Sequence, residues 1–443
     1  MQKKIKVVLL CHFSNEQIRN KIPLSKMKVR SFIQKLMGRE LFEYTDFAIW
    51  NNVLFRELEH FAAEVRVHVI SPHSGLKKKL VEFSVNGISY HIFKSEDDNL
   101  LSLAQNKVFG YTGRDWYGLN RKVVNKLILE INPDLVNLIG AENPYYSITA
   151  LDIENIPVYL TCQTVYTNPD RKALRGEVNE VRWHTELMLH RKICYFGCTG
   201  RMHRDLVLKN NPNAIIFKHT FPLELPNEIK KVKKVYDFVF YSVMLSKKKG
   251  IIDAIEALGK VKQIKPEVNL LVVGGCTNEM KKYLDALVAK FNLSGNIYFH
   301  GPFQRHVDMY QFIVQAKYAL LPIKIDVVSS TIIESMALGI PVVTYKTSGT
   351  PYLNKDKQCV LISNVADTQG LADNMLRLVN NKDFAHTIAL NAKEFIEQYY
   401  DNTKNVKRLI ADYQAIIEHY KYNTPIPEEL LFDINEFPVY DKK

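Results

Sequence analysis

The 443-residue chain lacks any apolar run of about 18 residues, the length that a membrane-spanning helix requires. It has only six cysteines, which are dispersed through the sequence, and no two of them form a C-x-x-C pair. We therefore expect free thiols in a reducing cytoplasm and no zinc site. The start also lacks the long apolar region of a secretory signal, so the run VVLLCHF favours a first buried strand.

The composition is that of a large globular protein with an excess of positive charge. Hydrophobic residues make up 47% of the chain and charged residues 24%, which allows two or three hydrophobic cores and disfavours wholesale disorder. The formal net charge is +12. Such a balance indicates an anionic partner, which is a nucleic acid, a phosphate-bearing ligand or a membrane surface.

Strand-like apolar runs alternate with helical patterns along most of the chain. Continuous apolar strands separated by helices predict parallel sheets covered on both faces, which is an α/β architecture. The strands are too numerous for one doubly wound sheet, so we predict two Rossmann-like domains. Residues 221–237 contain two prolines and a lysine cluster without periodicity, and they mark the boundary. The predicted domains are residues 1–222 and 223–420, and residues 421–443 are predicted to form a tail.

The segment LLPIKIDVVSSTIIESMALGIPVVTY, residues 320–345, joins two buried strands through a polar loop and a short helix. Thr331 and Glu334 fit a capping box, which gives Glu334 a structural role. The alternative is a ligand site, because the first-turn amides of residues 332–334 would lack partners beside the carboxyl end of a strand. Glu334 would then accept hydrogen bonds from a ribose, and Asp326 would hold sugar hydroxyls. Phosphate, ribose and sugar together describe a nucleotide sugar.

This segment also resembles a known signature. An acid, seven intervening residues, a glutamate and then SMALGIPVV are similar to the pattern of the retaining family-4 glycosyltransferases. Further motifs follow in family order: YSVMLSKKKGIIDAIEAL, LLVVGG, NIYFHG, YALLP and SGTPYLNKDKQCVLI. The resemblance covers roughly residues 237–400 well. It implies the GT-B fold, in which two Rossmann-like domains face each other across a cleft.

The resemblance implies a role for several residues of this chain. Glu334 would bind the donor ribose, and Asp326 would hold hydroxyls of the transferred sugar. Lys249 would neutralise the diphosphate leaving group, and its alternative is a solvated lysine in a KKK run. Gln163 stands where the family has a histidine, so it could bond the sugar but could not act as an acid or base. The other implied donor-binding residues are Ser329, Ser330, Thr331, Ile332, Gly301 and Phe303.

The sequence departs from the family pattern at three further places. Val243–Met244 replaces a Gly-Arg pair, and Lys247 or Lys248 is the candidate substitute for the arginine. Asp326 is one methylene shorter than the usual glutamate. The loop 327–331 reads VVSST rather than being rich in glycine, so serine hydroxyls are candidates to replace backbone contacts. These departures bear on which donor the protein uses and leave an inactive homologue open.

The first half offers weaker candidates. His12 follows the first strand and is either a packed residue or a site residue, and Glu142 follows a later strand and is a candidate acceptor contact. Trp50, Trp116 and Trp183 are either packing residues or platforms for sugar stacking. Residues 18–42 hold seven Lys or Arg against one Glu, interleaved with apolar residues. This segment predicts either an anionic membrane surface as partner or a solvated helix, and no nucleic-acid-binding motif accompanies it.

The sequence therefore predicts a retaining glycosyltransferase. It would move a sugar from a UDP- or GDP-linked donor to a glycan or lipid-linked acceptor, in polysaccharide assembly such as capsule or lipopolysaccharide synthesis. No D-x-D triplet is present to clamp a metal-bound sugar nucleotide, so no metal or other cofactor is expected. The predicted location is cytoplasmic, with peripheral attachment to the inner membrane leaflet. The alternatives are a non-catalytic nucleotide-sugar or glycan-binding homologue and a sugar-nucleotide epimerase.

Overall fold

The computed structural model describes residues 4–25, 46–95, 116–169, 179–224, 232–303, 305–325 and 327–437. These residues form two compact units. The first comprises the described residues of 1–199, 203–222 and 402–432. The second comprises residues 200–202, 223–401 and the described residues of 433–443.

The first unit is built on a sheet that is parallel except at one edge. Its strands are β1 Ile5–Leu10, β2 Val65–Pro72, β3 Leu80–Val85, β4 Ile88–Phe93, β5 Leu135–Ile139, β6 Val158–Thr161, β7 Tyr195–Cys198 and β8 Ile215–Lys218. The described strands lie in the order β3-β4-β2-β1-β5-β6-β7-β8. Only the β3–β4 pair among them is antiparallel. An Asn86–Gly87 turn joins that pair, and both residues have positive φ, as a tight hairpin requires.

Helices cover this sheet. They are α1 Glu16–Arg19, α2 Ile49–Glu59, α3 Gly118–Ile131, α4 Pro144–Ser147, α5 Glu180–Lys192 and α6 Arg201–Asn210, with a 3₁₀ turn at Ile148–Asp152. The central strand β5 is buried throughout, as the continuous apolar run DLVNLIGA predicts for a strand covered on both faces.

The second unit contains a fully parallel sheet in its described part. The strands are β9 Tyr236–Met244, β10 Leu270–Gly275, β11 Ile297–His300, β12 Ala316–Leu321, β13 Val342–Tyr345 and β14 Val360–Ser363, in the order β11-β10-β9-β12-β13-β14. The helices are α7 Ile251–Lys262, α8 Asn278–Lys290, α9 His306–Ile313, α10 Ser330–Ala337, α11 Thr368–Asn380 and α12 Lys382–Tyr399, with 3₁₀ turns at Lys247–Lys249, Thr350–Asn354 and Ile434–Glu436. Strand β9, helix α7 and helix α11 contribute to one continuous apolar core.

The C-terminal helix α13, Asn402–Tyr422, belongs to the first unit, together with a 3₁₀ turn at Glu428–Leu430. Its apolar face joins the core of the first unit, and the Tyr413 hydroxyl donates to Asn137 Oδ1 at 2.8 Å. Further along, the Phe432 amide donates to the Ile216 carbonyl at 2.9 Å. The sequence predicts that residues up to 420 belong to the second domain. The structure differs because α13 completes the core of the first unit.

The segment beyond residue 432 packs in the second unit, where the Phe437 ring stacks on Tyr352 with 4.5 Å between ring centroids. All six cysteines are free. In the described ranges, no helix combines the length and the apolar character needed to cross a membrane.

Candidate functional site

The strand order of the second unit locates its ligand-binding edge. Strand β9 lies between β10 and β12, and the chain leaves β9 for β10 on one side, while β12 and β13 build the sheet on the other. In open parallel sheets, ligands bind beyond the carboxyl ends of the strands at the place where the strand order reverses, which is called the switch point. The connection after β9 carries Lys249, and the connection after β12 carries Ser329 and Glu334. These three residues therefore follow two adjacent strands at one edge of the sheet.

The turn after β9 is held against the end of β12 by a glycine. Gly250 has a φ of +83°, and a Cβ atom there would lie 1.9 Å from the carbonyl oxygen of Pro322. Only a residue without a side chain permits this approach. Lys249 precedes it, at the end of a 3₁₀ turn in which its amide donates to the Ser246 carbonyl at 3.0 Å. The half-buried Lys249 therefore lies at the predicted edge.

Helix α10 begins earlier than the capping-box pattern predicts. Its N-cap is Ser329, whose side chain makes no capping hydrogen bond, so Thr331 and Glu334 do not form the predicted box. The amides of Ile332 and Ile333 donate to the Ser329 carbonyl at 3.0 and 3.4 Å. The expectation that these two amides lack partners is therefore wrong. In the first turn of a helix that starts at Ser330, the amides without intrahelical partners are those of residues 330 and 331.

Glu334 is buried one turn into this helix. Its residue exposure is 5%, and its Oε2 atom has no hydrogen-bond partner among the described residues. Burial raises the pKa of Glu334 from 4.5 to about 7, and the hydroxyls of Ser330, Tyr241 and Tyr310 oppose this rise. A buried carboxylate oxygen without a partner is costly, and a ligand hydroxyl would satisfy it.

Two tyrosines that the sequence did not single out surround this carboxylate. The Tyr241 hydroxyl, from β9, donates to the Thr331 carbonyl at 2.6 Å and lies 2.9 Å from Ser335 Oγ. The Tyr310 hydroxyl, from α9, donates to the Glu224 carbonyl at 3.1 Å. Both rings are buried, Tyr241 holds the helix start through the Thr331 carbonyl, and both hydroxyls lie close enough to Glu334 to lower its pKa.

The loop before helix α10 is anchored by the next strand. The Thr347 hydroxyl donates to the Val327 carbonyl at 2.8 Å, and a Cβ atom at Gly349 would lie 2.4 Å from that same oxygen. Ser329 is buried, and its hydroxyl lies 3.1 Å from that of Thr331, which is half-buried; Ser330 is exposed. Asp326, the predicted contact of the transferred sugar, lies outside the described residues.

An aromatic cluster follows β11. Phe303 stacks on His300 with 4.5 Å between centroids and an angle of 7° between planes, and Phe312 lies 4.6 Å from His300. Gly301 is exposed, and its carbonyl lies 2.9 Å from His300 Nδ1. The predicted nucleotide contacts Gly301 and Phe303 thus lie beside the ring of His300, which no sequence motif indicated.

The position of the missing arginine is occupied by exposed apolar side chains. Val243, at the end of β9, is 76% exposed, and Met244 is also exposed. Of the candidate substitutes, Lys247 has its Nζ 5.5 Å from the ring centroid of Tyr283, and Lys248 is exposed. Both lie in the turn that precedes Gly250.

The first unit has its own switch point, between β1 and β5. His12 follows β1, and its Nδ1 hydrogen-bonds the hydroxyl of Tyr145, which follows β5. Burial, and to a lesser extent the charge of Arg182, lowers the pKa of His12 to about 4. His12 is therefore neutral at physiological pH.

Gln163, Glu142 and Trp50 form a short polar chain at the same edge. With its amide oriented to satisfy both neighbours, Gln163 donates to Glu142 Oε1 at 2.9 Å and accepts from Trp50 Nε1 at 2.9 Å. Trp50 thus uses its polar atom within the protein. Trp116 is buried, and Trp183 is half-buried in α5.

The predicted membrane-binding segment is only partly described. Residues 18–25 lie within the described ranges, and residues 26–42 lie outside them. In the described part, Arg19 pairs with Asp46 at 2.7 Å, and Lys21 is exposed. Within the portions of the chain that the structure covers, no group of three or more His, Cys, Asp or Glu side chains is placed to hold a metal ion.

Comparison with known protein families relates part of the chain to glycosyltransferases. The profile of the family described as Glycosyl transferases group 1 matches residues 224–395, which include the whole candidate site of the second unit. No curated protein sequence matches the chain significantly.

Solved structures match almost the entire chain. Sucrose-phosphate synthase from Thermosynechococcus elongatus is 14% identical, with 93% of this chain and 98% of that chain covered and a TM-score of 0.65. HepE from Anabaena, in complex with UDP and glucose, is 15% identical, with 93% and 100% covered and a TM-score of 0.60. A TarM variant from S. aureus, in complex with UDP and other ligands, is 13% identical, with 92% and 99% covered and a TM-score of 0.61.

At these identities the structural matches establish the fold. The predicted pair of Rossmann-like α/β domains of the GT-B class is confirmed. The group 1 profile and the shared fold together support the predicted glycosyltransferase.

Proposed function

We propose that this chain is a retaining glycosyltransferase that moves a sugar from a nucleoside-diphosphate sugar to a hydroxyl of a glycan or lipid-linked acceptor. The observation that carries the proposal is Glu334, a buried carboxylate with an unpartnered oxygen at the switch point of a group 1 domain. A ribose offers two adjacent hydroxyls, which match that oxygen and its neighbour. UDP is the first donor nucleotide to test because structural neighbours were solved with UDP.

The second unit would supply the charge that the leaving group needs. When the bond between sugar and diphosphate breaks, negative charge grows on the diphosphate. Lys249 and the first-turn amides of residues 330 and 331 lie at the edge where that charge would develop. Fixed cations and amides of this kind lower a barrier because they need no reorganisation, and losing one typically costs about 10²–10³ in rate. Asp326 would orient the sugar, and these protein groups would act in place of a metal.

The first unit would supply contacts to the sugar and the acceptor. Gln163 and Glu142 present polar groups at its switch point, and His12 is neutral there. No general base is required if the leaving phosphate oxygen takes the acceptor proton on the same face, which would retain the anomeric configuration. We propose this front-face displacement as the mechanism.

The test is a thermal-shift screen of UDP, GDP and ADP, followed by turnover of the matching nucleotide sugars. We expect Glu334→Ala to abolish both donor binding and turnover. The matched control is Glu279→Ala, which removes an exposed glutamate from helix α8 of the same unit and should leave both unchanged. Failure of every nucleotide to bind the wild-type protein would refute the proposal.

A second candidate function has one specific observation in its favour. Exposed Val243 and Met244 stand where the family pattern has Gly-Arg, so the diphosphate has one cation fewer. A nucleotide-sugar-binding protein without catalysis would have this property. Tight donor binding with no transfer or hydrolysis of any donor would select that function, and interconversion of donor epimers would select an epimerase.

We also propose that the enzyme works on lipid-linked or polymeric acceptors at an anionic inner leaflet. The support is the basic segment 18–42 and a nearby exposed run, Lys77–Lys79. The Lys77 amide donates to the Pro23 carbonyl at 2.9 Å, which joins the two basic stretches. Each cation near an anionic surface contributes about 1 kcal/mol. Sedimentation with vesicles of anionic lipid at low and high salt tests this, and equal binding to neutral vesicles would contradict it.

A further inference from the structure

A buried ionic network joins two connections at the switch point of the second unit. Lys324, three residues beyond β12, has its Nζ 2.7 Å from Oδ1 of Asp253, the third residue of helix α7. The Tyr345 hydroxyl, at the end of β13, donates to the other oxygen of Asp253 at 2.7 Å. The Lys324 amide donates to the Lys248 carbonyl at 3.1 Å. Side chains from the ends of two neighbouring strands, β12 and β13, thus meet one carboxylate in the helix that follows β9.

The network is protected from solvent. Asp253 and Tyr345 are buried, and the side chain of Lys324 is 20% exposed. A second pair in the same unit, Lys317 with Asp237 at 2.8 Å, joins the amino ends of β12 and β9, and its lysine is 49% exposed. Exposed pairs are weakened by water and salt, whereas protected pairs hold their geometry more firmly.

We propose that Lys324 is a positioning residue for the diphosphate site, an inference that rests on the proposed function. Its side chain pairs with Asp253 and its amide donates to the Lys248 carbonyl. These two contacts hold the turn Lys247–Lys249 in a fixed position relative to the connection after β12. That turn carries the cation for the leaving group. The same connection reaches Asp326 two residues after Lys324.

The contacts explain why a side chain is needed in addition to the backbone. Gly250 packs against Pro322 and the Lys324 amide donates to the Lys248 carbonyl, so two contacts hold the turn to the connection after β12. The Lys324–Asp253 pair holds the start of α7, which follows the turn, to the same connection. Without it, the turn could pivot about Gly250, and a shift of about 1 Å in a positioning group can cost roughly 10²-fold in rate.

A merely structural ion pair would have a different signature. Loss of a structural pair lowers stability and either leaves ligand affinities unchanged or weakens the binding of every ligand of the unit by a similar factor. Loss of a positioning pair displaces Lys249 and selectively weakens ligands that carry phosphate. The comparison of UDP with uridine separates these outcomes because the two ligands share base and ribose.

The test is titration calorimetry of UDP and uridine with the full chain and three variants. In Lys324→Gln we expect the UDP dissociation constant to rise at least about tenfold, while that of uridine is unchanged. Lys324→Arg should restore most of the UDP affinity because it keeps the charge. The matched control is Lys317→Gln, which removes the pair at the opposite edge and should change neither constant. If GDP stabilises the protein in the thermal-shift screen and UDP does not, GDP and guanosine replace this pair.

Two failures are distinguishable. If the wild-type protein binds no nucleoside diphosphate, the proposed function fails and the inference falls with it. If the wild type binds UDP but Lys324→Gln weakens UDP and uridine equally, or leaves UDP unchanged, the positioning role is overturned while the proposed function stands.

Discussion

Replacing Glu334 with glutamine should remove a pH-dependent cost to the stability of the second unit. Burial raises the pKa of this carboxyl from 4.5 to about 7. Between these pH values the folded protein binds more protons than the unfolded chain, so the stability of the wild type falls as pH rises through this window. At 1.36 kcal/mol per pKa unit, the loss is roughly 3 kcal/mol above pH 8. Glutamine cannot ionise and should not show this loss.

Hydrogen exchange measured by mass spectrometry is the suitable assay because a two-unit protein need not unfold in one step. Peptides covering β12, α10 and β13 report on the second unit. We expect their opening free energy to fall by about 2–3 kcal/mol more in the wild type than in Glu334→Gln between pH 5 and pH 8.5. Trp50, Trp116 and Trp183 all lie in the first unit, so tryptophan fluorescence provides an internal control that the substitution should not change.

The comparison across pH matters more than the stability at one pH. Glutamine also changes the hydrogen bonding at the Oε2 position, which has no protein partner, and this effect is the same at both pH values. An identical pH dependence in the two proteins would refute the reasoning. The variant should also lose UDP binding, so a single substitution would separate stability from ligand binding.

Three further predictions rest on single contacts. Gly250→Ala should destabilise the second unit by about 2 kcal/mol or more, because the methyl group would overlap the Pro322 carbonyl, and thermal unfolding measures this. Tyr413→Phe should cost about 1–2 kcal/mol of the free energy of unfolding of the first unit, since it leaves buried Asn137 without its 2.8 Å hydrogen bond. Phe303→Ala should weaken UDP binding roughly tenfold if its ring meets the base, and calorimetry with unchanged affinity would contradict that role.

The strands were predictable because each is a continuous apolar run, whereas the affiliation of the last helix was not. Val406, Leu409, Tyr413 and Ile416 recur at helical spacing in α13, and this periodicity shows that one face is buried. It does not show which core receives that face. Helix α13 was assigned to the second domain because it follows that domain in the chain. In the structure, α13 packs in the first unit.

The candidate site was predictable where side-chain chemistry is unusual and unpredictable where it is ordinary. Glu334 was selected because a carboxylate at a helix start beyond the carboxyl end of a strand suits a ligand site, and because the surrounding motif resembles a glycosyltransferase signature. The start of that helix was misplaced because Ser329, Ser330 and Thr331 are all good N-cap residues, and the sequence cannot choose among them. Tyr241 was missed because an aromatic residue in a strand is usually a core residue, and the sequence does not indicate whether its hydroxyl has a role in the site.

The two switch points differ in charge, and this difference makes a final prediction. The second unit offers Lys249 and an ionisable Glu334, whereas His12 of the first unit stays neutral because burial lowers its pKa to about 4. We therefore expect KM for the donor to rise as pH falls below about 7 and Glu334 gains its proton. KM for the acceptor should stay constant from pH 5.5 to pH 8, as measured by initial rates at saturating co-substrate. An acceptor KM that changes with a midpoint near pH 6.5 would show that His12 is more accessible to protons than its burial implies.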